Sequence, residues 1–240
     1  MPRLLERQQA LLSYLTSPAA IFGGGPARVD ARLAGIDRSR LHLEARFSHD
    51  KRMEKIRGVL PKTFDLLGAN LSRVMHDFAA ACPPDDISRL HNARQFQHYL
   101  RSRWERRSAR RPYLADVAAC ELALAEARSF AEEHVTPTRP AAARLAHVRR
   151  RPGVLLVRCR YDVRPVFEGG HARIARRPTF LAVAVPPGAD QPAVAELAAP
   201  VFKLLATLDT PHPRAGIGRT KDAEALIEAL AAEGLVDLCP

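Results

Sequence analysis

His91 and His98 lie seven residues apart in a stretch with helical apolar spacing, so both rings fall on one helix face. Two imidazoles on one face can begin a metal site, with Asp85 or Asp86 nearby as further ligands. Zinc takes four ligands as a rule, and no further His or Cys is spaced to complete the set. Surface and capping roles are therefore expected for both histidines. Cys82, Cys120, Cys159 and Cys239 form no C-x-x-C pair, and free thiols are expected. Gly216-Ile217-Gly218-Arg219-Thr220-Lys221 has the wrong order for a phosphate-cradling loop and is read as a helix-capping loop. The sequence carries no G-x-S-x-G elbow and no H-E-x-x-H helix. The expectation is a chain with no catalytic residues, no bound metal and no cofactor.

Asn92, Arg94 and Gln95 are polar residues between apolar helix positions. They either face solvent or form a buried network that cross-links helices. Asp116 and Glu121 are candidate carboxylate partners for Arg94 or Arg101. These residues belong to a longer pattern. Asn92-Ala93, Gln95-Phe96, Tyr99-Leu100 and Trp104 are followed by Pro112-Tyr113-Leu114, Asp116-Val117-Ala118 and Glu121-Leu122-Ala123. The pattern resembles the helical partner proteins of multinuclear non-haem iron oxidases. Those oxidases modify ribosomally made peptides, often at cysteine, as in methanobactin, thiaglutamate and bufferin-type copper-sequestering pathways. The resemblance covers residues 50–130, and 150–208 more loosely.

It implies a non-catalytic subunit that presents a precursor peptide to an oxidase of TIM-barrel type. The iron would belong to that oxidase. The resemblance favours the buried polar network for Asn92, Arg94 and Gln95, a structural rather than a catalytic role. Asn92, Arg94, Gln95, Arg103 and Arg107 are also expected at the oxidase interface.

The elements that must position these residues follow from composition and spacing. With 240 residues and 47% hydrophobic side chains, the chain can bury a core. No run reaches the roughly 18 apolar residues that a membrane span needs. Residues 3–15 read as an amphipathic helix of a cytoplasmic protein rather than a signal peptide. The net charge of +11 attracts nucleic acid, an anionic membrane or an acidic protein or peptide.

Residues 27–48 are ambiguous between a short helix and an irregular segment. Ser48-His49-Asp50 is expected to cap a helix carrying Ile56, Val59, Leu60, Phe64 and Leu67 on one face, with Pro61 splitting it and Gly68 stopping it. A second helix starts at Asn70 and ends before Pro83-Pro84. A third follows Asp85-Asp86, with Leu90, Ala93, Phe96, Leu100 and Trp104 inward. The basic run 101–111 is either a solvated helix end or a face for an acidic partner. An alanine-rich helix then runs to Glu133.

Residues 134–147 read as a linker. Beyond them strands are expected at 154–159, 161–168 and 179–185, followed by helices at 193–208 and 221–233 and a final short strand at 235–238. The expected fold class is α+β. An N-terminal helical bundle (1–135), the oxidase-docking domain, precedes a small winged-helix-like, peptide-recognition-element-like domain (150–240).

Peptide docking is expected by strand addition beside 179–185. Leu181, Val183, Val185, Leu226, Ile227 and Leu230 would line the side-chain pockets. Arg173, Arg176 and Arg177 would meet an acidic leader. The alternative is a winged-helix DNA-binding regulator. Asp222, Glu224, Glu228 and Glu233 on the last helix oppose it, because phosphate repels an acidic recognition helix.

Overall fold

The computed structural model describes residues 4–23, 29–106, 111–134, 146–169, 174–217 and 221–239. Contacts divide the chain into two compact units, Met1–Ala118 and Ala119–Pro240. The division falls within a long helix, whereas the sequence placed it in 134–147; residues 135–145 lie outside the described residues. The protein mixes helices with two small antiparallel sheets, an α+β class.

The first unit opens with α1 (Leu4–Leu15) and α2 (Pro18–Phe22), followed by a 3-10 turn at Ala31–Leu33. Helix α3 (Arg38–Val59) comes next, 22 residues long. Its N-cap is Asp37, whose carboxylate accepts from the Ser39 N–H at 2.7 Å. Ser48, His49 and Asp50 are therefore mid-helix and cap nothing. The pattern misled because Leu41 and Ala45 face inward while Leu43 and Phe47 face outward, which blurs the period over residues 38–47. Pro61 does split the helix: α3 ends at Val59 and α4 (Pro61–Leu67) restarts with Pro61 in its first turn. Gly68 adopts φ +52 and ends α4. Helices α5 (Leu71–Ala81) and α6 (Arg89–Arg106) follow, and Ser88 caps α6 by accepting the His91 N–H.

Among the described residues, two core groups stand out in this unit. Ala10, Tyr14, Ala20, Ile21, Leu33, Leu41, Ala45 and Ala79 form one cluster. The rings of Phe64, Phe78, Phe96 and Tyr99 pack at centroid distances of 4.9–6.4 Å. Each fully buried Phe contributes roughly 1.5–3 kcal/mol.

Helix α7 (Leu114–Glu133) carries the boundary between the units. The second unit continues with β1 (His147–Arg150), β2 (Leu155–Cys159), α8 (Arg164–Phe167), β3 (Thr179–Ala184) and β4 (Ala193–Leu197). It closes with α9 (Ala199–Thr207), β5 (His212–Pro213), α10 (Arg214–Ile217), α11 (Lys221–Ala232) and β6 (Val236–Cys239). One sheet runs β5-β1-β6 and the other β2-β3-β4, all pairs antiparallel.

Three expectations fail here. The segment 161–168 is not a strand, because Pro165 starts the short helix α8 in it. Residues 193–197 are a strand, and the helix begins only at Ala199 with Pro200 in its first turn. His147-Val148-Arg149-Arg150 is a strand, paired with β5 and with β6 some 90 residues on. The strands expected at 154–159, 179–185 and 235–238 and the helix expected at 221–233 do form, and the strands belong to two sheets interleaved along the sequence.

The main core of this unit joins Val148, Val154, Ala182, Ala184, Leu205, Leu208, Ile227, Leu230, Leu235 and Val236. Helix α11 ends in a Schellman turn. Leu235 N–H donates to Leu230 O at 2.8 Å and Gly234 N–H to Ala231 O at 3.1 Å, with Gly234 at φ +71.

Candidate functional site

Arg52 sits on the inner face of α3, in line with Ala45, His49, Ile56 and Val59. Its guanidinium is spent entirely inside the unit. Nε donates to Asn92 Oδ1 at 2.7 Å, and a terminal nitrogen donates to the Cys82 carbonyl at 2.9 Å. The other terminal nitrogen donates to Gln95 Oε1. The group also lies over the Phe78 ring, 4.6 Å from its centroid. Burial pulls its pKa down from 12.5 to about 10, so it stays cationic at neutral pH.

Asn92 is 2% exposed. Its amide donates to the carbonyls of Asp86 and Ser88, both at 2.8 Å. Gln95 donates to the Pro83 carbonyl at 3.1 Å. Lys55 donates to the Ile87 carbonyl at 3.0 Å. Four side chains from α3 and α6 thereby satisfy five carbonyls of the segment 82–88. Such a segment is pinned largely through its backbone carbonyls. It holds Ile87 at 86% exposure. His91 Nε2 lies 2.8 Å from Asp85 Oδ1, and Nδ1 lies 3.8 Å from Asp86.

The interface residues expected from the sequence therefore separate. Asn92, buried, and Gln95, half-buried, join the polar network that the sequence favoured for them. Arg103 is held by Asp77 and Tyr99, each at 2.5 Å. Arg94 lies on the exposed side of α6. Arg107 falls outside the described residues. The network's centre, Arg52, was missed. The signal was available, because Arg52 interrupts an apolar stripe at helical spacing, which a solvated arginine would not do.

The expected peptide site also separates. Strand β3 is the middle strand: Leu155–Cys159 pairs along one side and Ala193–Leu197 along the other. Both its edges are taken, so no peptide can add beside 179–185. The free edge on that side is β4, where Ala193, Ala195 and Glu196 are exposed. Leu181 and Val183 are buried on the sheet face opposite to Ala182 and Ala184. Ile227 and Leu230 are core residues on the Ala182 side, with Leu226 packed against them. These residues are not brought together as one pocket. Val185 is half-buried just past β3.

Arg177 does not wait for a leader. It donates to Asp162 at 2.6 Å and to Glu196 at 2.9 Å. Arg164 binds the same two carboxylates, at 2.7 Å and 2.5 Å. The two guanidiniums hold the Asp162 carboxyl well below the usual carboxylate range. Arg176 is exposed, and Arg173 falls outside the described residues.

Other groups of chemical interest are few. Cys120 and Cys159 are buried with their Sγ atoms 3.7 Å apart. Phe22 lies between His49 and His76, at ring centroid distances of 5.0 and 4.8 Å. Beside it Ile21, Phe22, Arg46, His49 and Asp50 line a cleft of about 320 Å³. Among the described residues, no three His, Cys, Asp or Glu side chains come together in a metal-holding group. Among the same residues, no helix is long and apolar enough to cross a membrane.

Compared with models of known protein families and with curated proteins, the chain matches none.

Proposed function

We propose that this chain is the non-catalytic partner subunit of an iron-dependent, peptide-modifying oxidase. It binds a ribosomally made precursor peptide in the cytoplasm and presents it, with cysteine modification as the expected chemistry. The iron and the catalytic residues reside in the oxidase. The observation that carries this reading is the fate of the motif residues. Asn92 and Gln95 hold the segment 82–88 in one shape through its carbonyls. A motif that rigidifies a surface is what a docking subunit needs, because preorganisation lowers the entropic cost of association.

In this reading the second unit is the winged-helix-like peptide-recognition part. The precursor adds as a strand along the outer edge of β4, with backbone hydrogen bonds giving affinity. The DNA-binding alternative gains no support. Asp222, Glu224, Glu228 and Glu233 are all exposed along α11 and just beyond it. The second unit carries 16 Lys and Arg against 14 Asp and Glu, a near balance unlike a phosphate-binding surface.

The experiment is a pair of titrations with the co-encoded oxidase and precursor. The expected result is a one-to-one complex with the oxidase by light scattering and saturable precursor binding by calorimetry. Absence of both interactions, or of any co-encoded oxidase gene, would overturn the reading.

A further inference from the structure

Cys82 and Cys239 are half-buried, whereas Cys120 and Cys159 are buried, each 1% exposed. The buried two lie 39 residues apart in the sequence, yet their Sγ atoms are 3.7 Å apart, in van der Waals contact. Both belong to the second unit. Cys159 is the last residue of β2, where Val157 and Cys159 are buried and Arg158 between them is exposed. Their register partners on β3 are Leu181 for Val157 and Thr179 for Cys159. Cys159 therefore stands on the sheet face of Leu181 and Val183, opposite to the face through which Ala182 and Ala184 join the unit's main core. Cys120 reaches it from α7, on a helix face that continues through the buried Ala123 and Ala127. A disulfide needs its sulfurs about 2 Å apart, so side-chain rotation and a small approach of the two elements would close the bond.

We infer that Cys120 and Cys159 are a redox pair: peroxide converts them to a disulfide that fastens α7 to β2, and a dithiol reopens it. One thiol loses its proton and its sulfur attacks a peroxide oxygen. The O–O bond breaks, the other oxygen leaves as water with that proton, and a sulfenic acid remains. The second sulfur then attacks the sulfenic sulfur. The S–O bond breaks, the S–S bond forms, and the departing hydroxide takes the second thiol's proton as water. Two thiols and one peroxide thus give one disulfide and two waters, each sulfur losing one electron. Burial selects this outcome. A small peroxide enters during local opening, whereas a bulky disulfide such as oxidised glutathione is kept from either sulfur. The neighbouring thiol traps the sulfenic acid before a second peroxide can oxidise it further. The closed bond removes the freedom of the loop between the two cysteines from the unfolded chain, so the oxidised unit is the more stable one. Nothing in this chemistry depends on an oxidase or a precursor peptide.

The test exposes the reduced, folded full chain to hydrogen peroxide, quenches it with catalase, and denatures it in N-ethylmaleimide. The same is done with a Cys82→Ala/Cys239→Ala double variant, which keeps only the buried pair. In the double variant the intact mass should fall by two hydrogens and neither thiol should be alkylated. A non-reduced tryptic map of either protein should join the Cys120 peptide to the Cys159 peptide. The disulfide form should melt roughly 5–10 °C higher, and dithiothreitol should return both the mass and the melting temperature. Cys120→Ala and Cys159→Ala should each lack the shift; if either fails to fold, the double variant alone decides. Buried thiols that stay alkylatable, under peroxide that oxidises the denatured chain, would overturn the pair. So would bonds from either to Cys82 or Cys239, or oxidation to sulfinic acid without pairing. A disulfide that leaves the melting temperature unchanged would overturn the fastening of α7 to β2. One that dithiothreitol cannot reopen in the folded chain would overturn reversibility.

Discussion

Arg52 is the residue on which most of the first unit's polar order depends. Replacing it with Met leaves Asn92 Oδ1, Gln95 Oε1 and the Cys82 carbonyl without their donor. Chemical denaturation should show a loss of about 2–4 kcal/mol, because buried acceptors left unsatisfied retain their desolvation cost. Arg52→Lys should recover little of it, since one ammonium cannot span three acceptors in a fork. His49 gives the same unit a pH dependence. Burial beneath Phe22 pushes its imidazole below the ordinary 6.5. On acidification the unfolded chain takes the proton first, so stability is complete above pH 6.5 and declines as pH falls through that value. His49→Leu should flatten that decline between pH 7 and 5.

In the second unit, Arg177→Glu would set a third carboxylate against Asp162 and Glu196. A lower melting temperature is expected, whether or not a peptide is present, and high salt should shrink the difference. Asp162 itself contributes fully above the ordinary carboxylate value of 3.8, and that contribution fades as pH drops below it. Asn92 and Gln95 could be singled out in the sequence because polar residues broke an apolar stripe within a recognisable pattern. The burial of Arg52 was legible from its place in the stripe of α3, but its pairing with Asn92 was not, since the two lie 40 residues apart.

Elements were legible wherever one face was buried and a proline or glycine marked the end. Helices α1, α5, α6, α7 and α11 follow their apolar spacing, and Pro61 and Gly68 break the chain where sterics require. Failures cluster where two periods fit one string. Val194, Leu197, Val201 and Leu204 have helical spacing, yet 193–197 pairs as a strand because β3 offers it a full ladder. Tertiary pairing overrode a period that Pro200 already contradicted. Strand β1 had no local signal, because its partner β6 comes from the far end of the sequence. One turn in this unit is fixed by geometry. Gly153 adopts φ +84, and a methyl group there would run into the Phe130 ring. Gly153→Ala should therefore cost about 1–3 kcal/mol in denaturant titrations, with Phe130→Ala relieving part of the clash in a double variant.

At the scale of the whole molecule, the charge is the property that residue patterns alone did not place. The excess of cations belongs to the first unit, and the second is nearly balanced. Association through the first unit should therefore weaken as salt rises, while peptide addition along β4 should respond little. The most direct test of the central claim is reconstitution of the reaction. Precursor peptide, iron-loaded oxidase and oxygen are incubated with and without this chain, and the peptide is weighed by mass spectrometry. The account predicts a mass change that requires the chain at a stoichiometry near one to one with the oxidase. Full modification by the oxidase alone would contradict it, as would modification of the peptide by this chain without the oxidase.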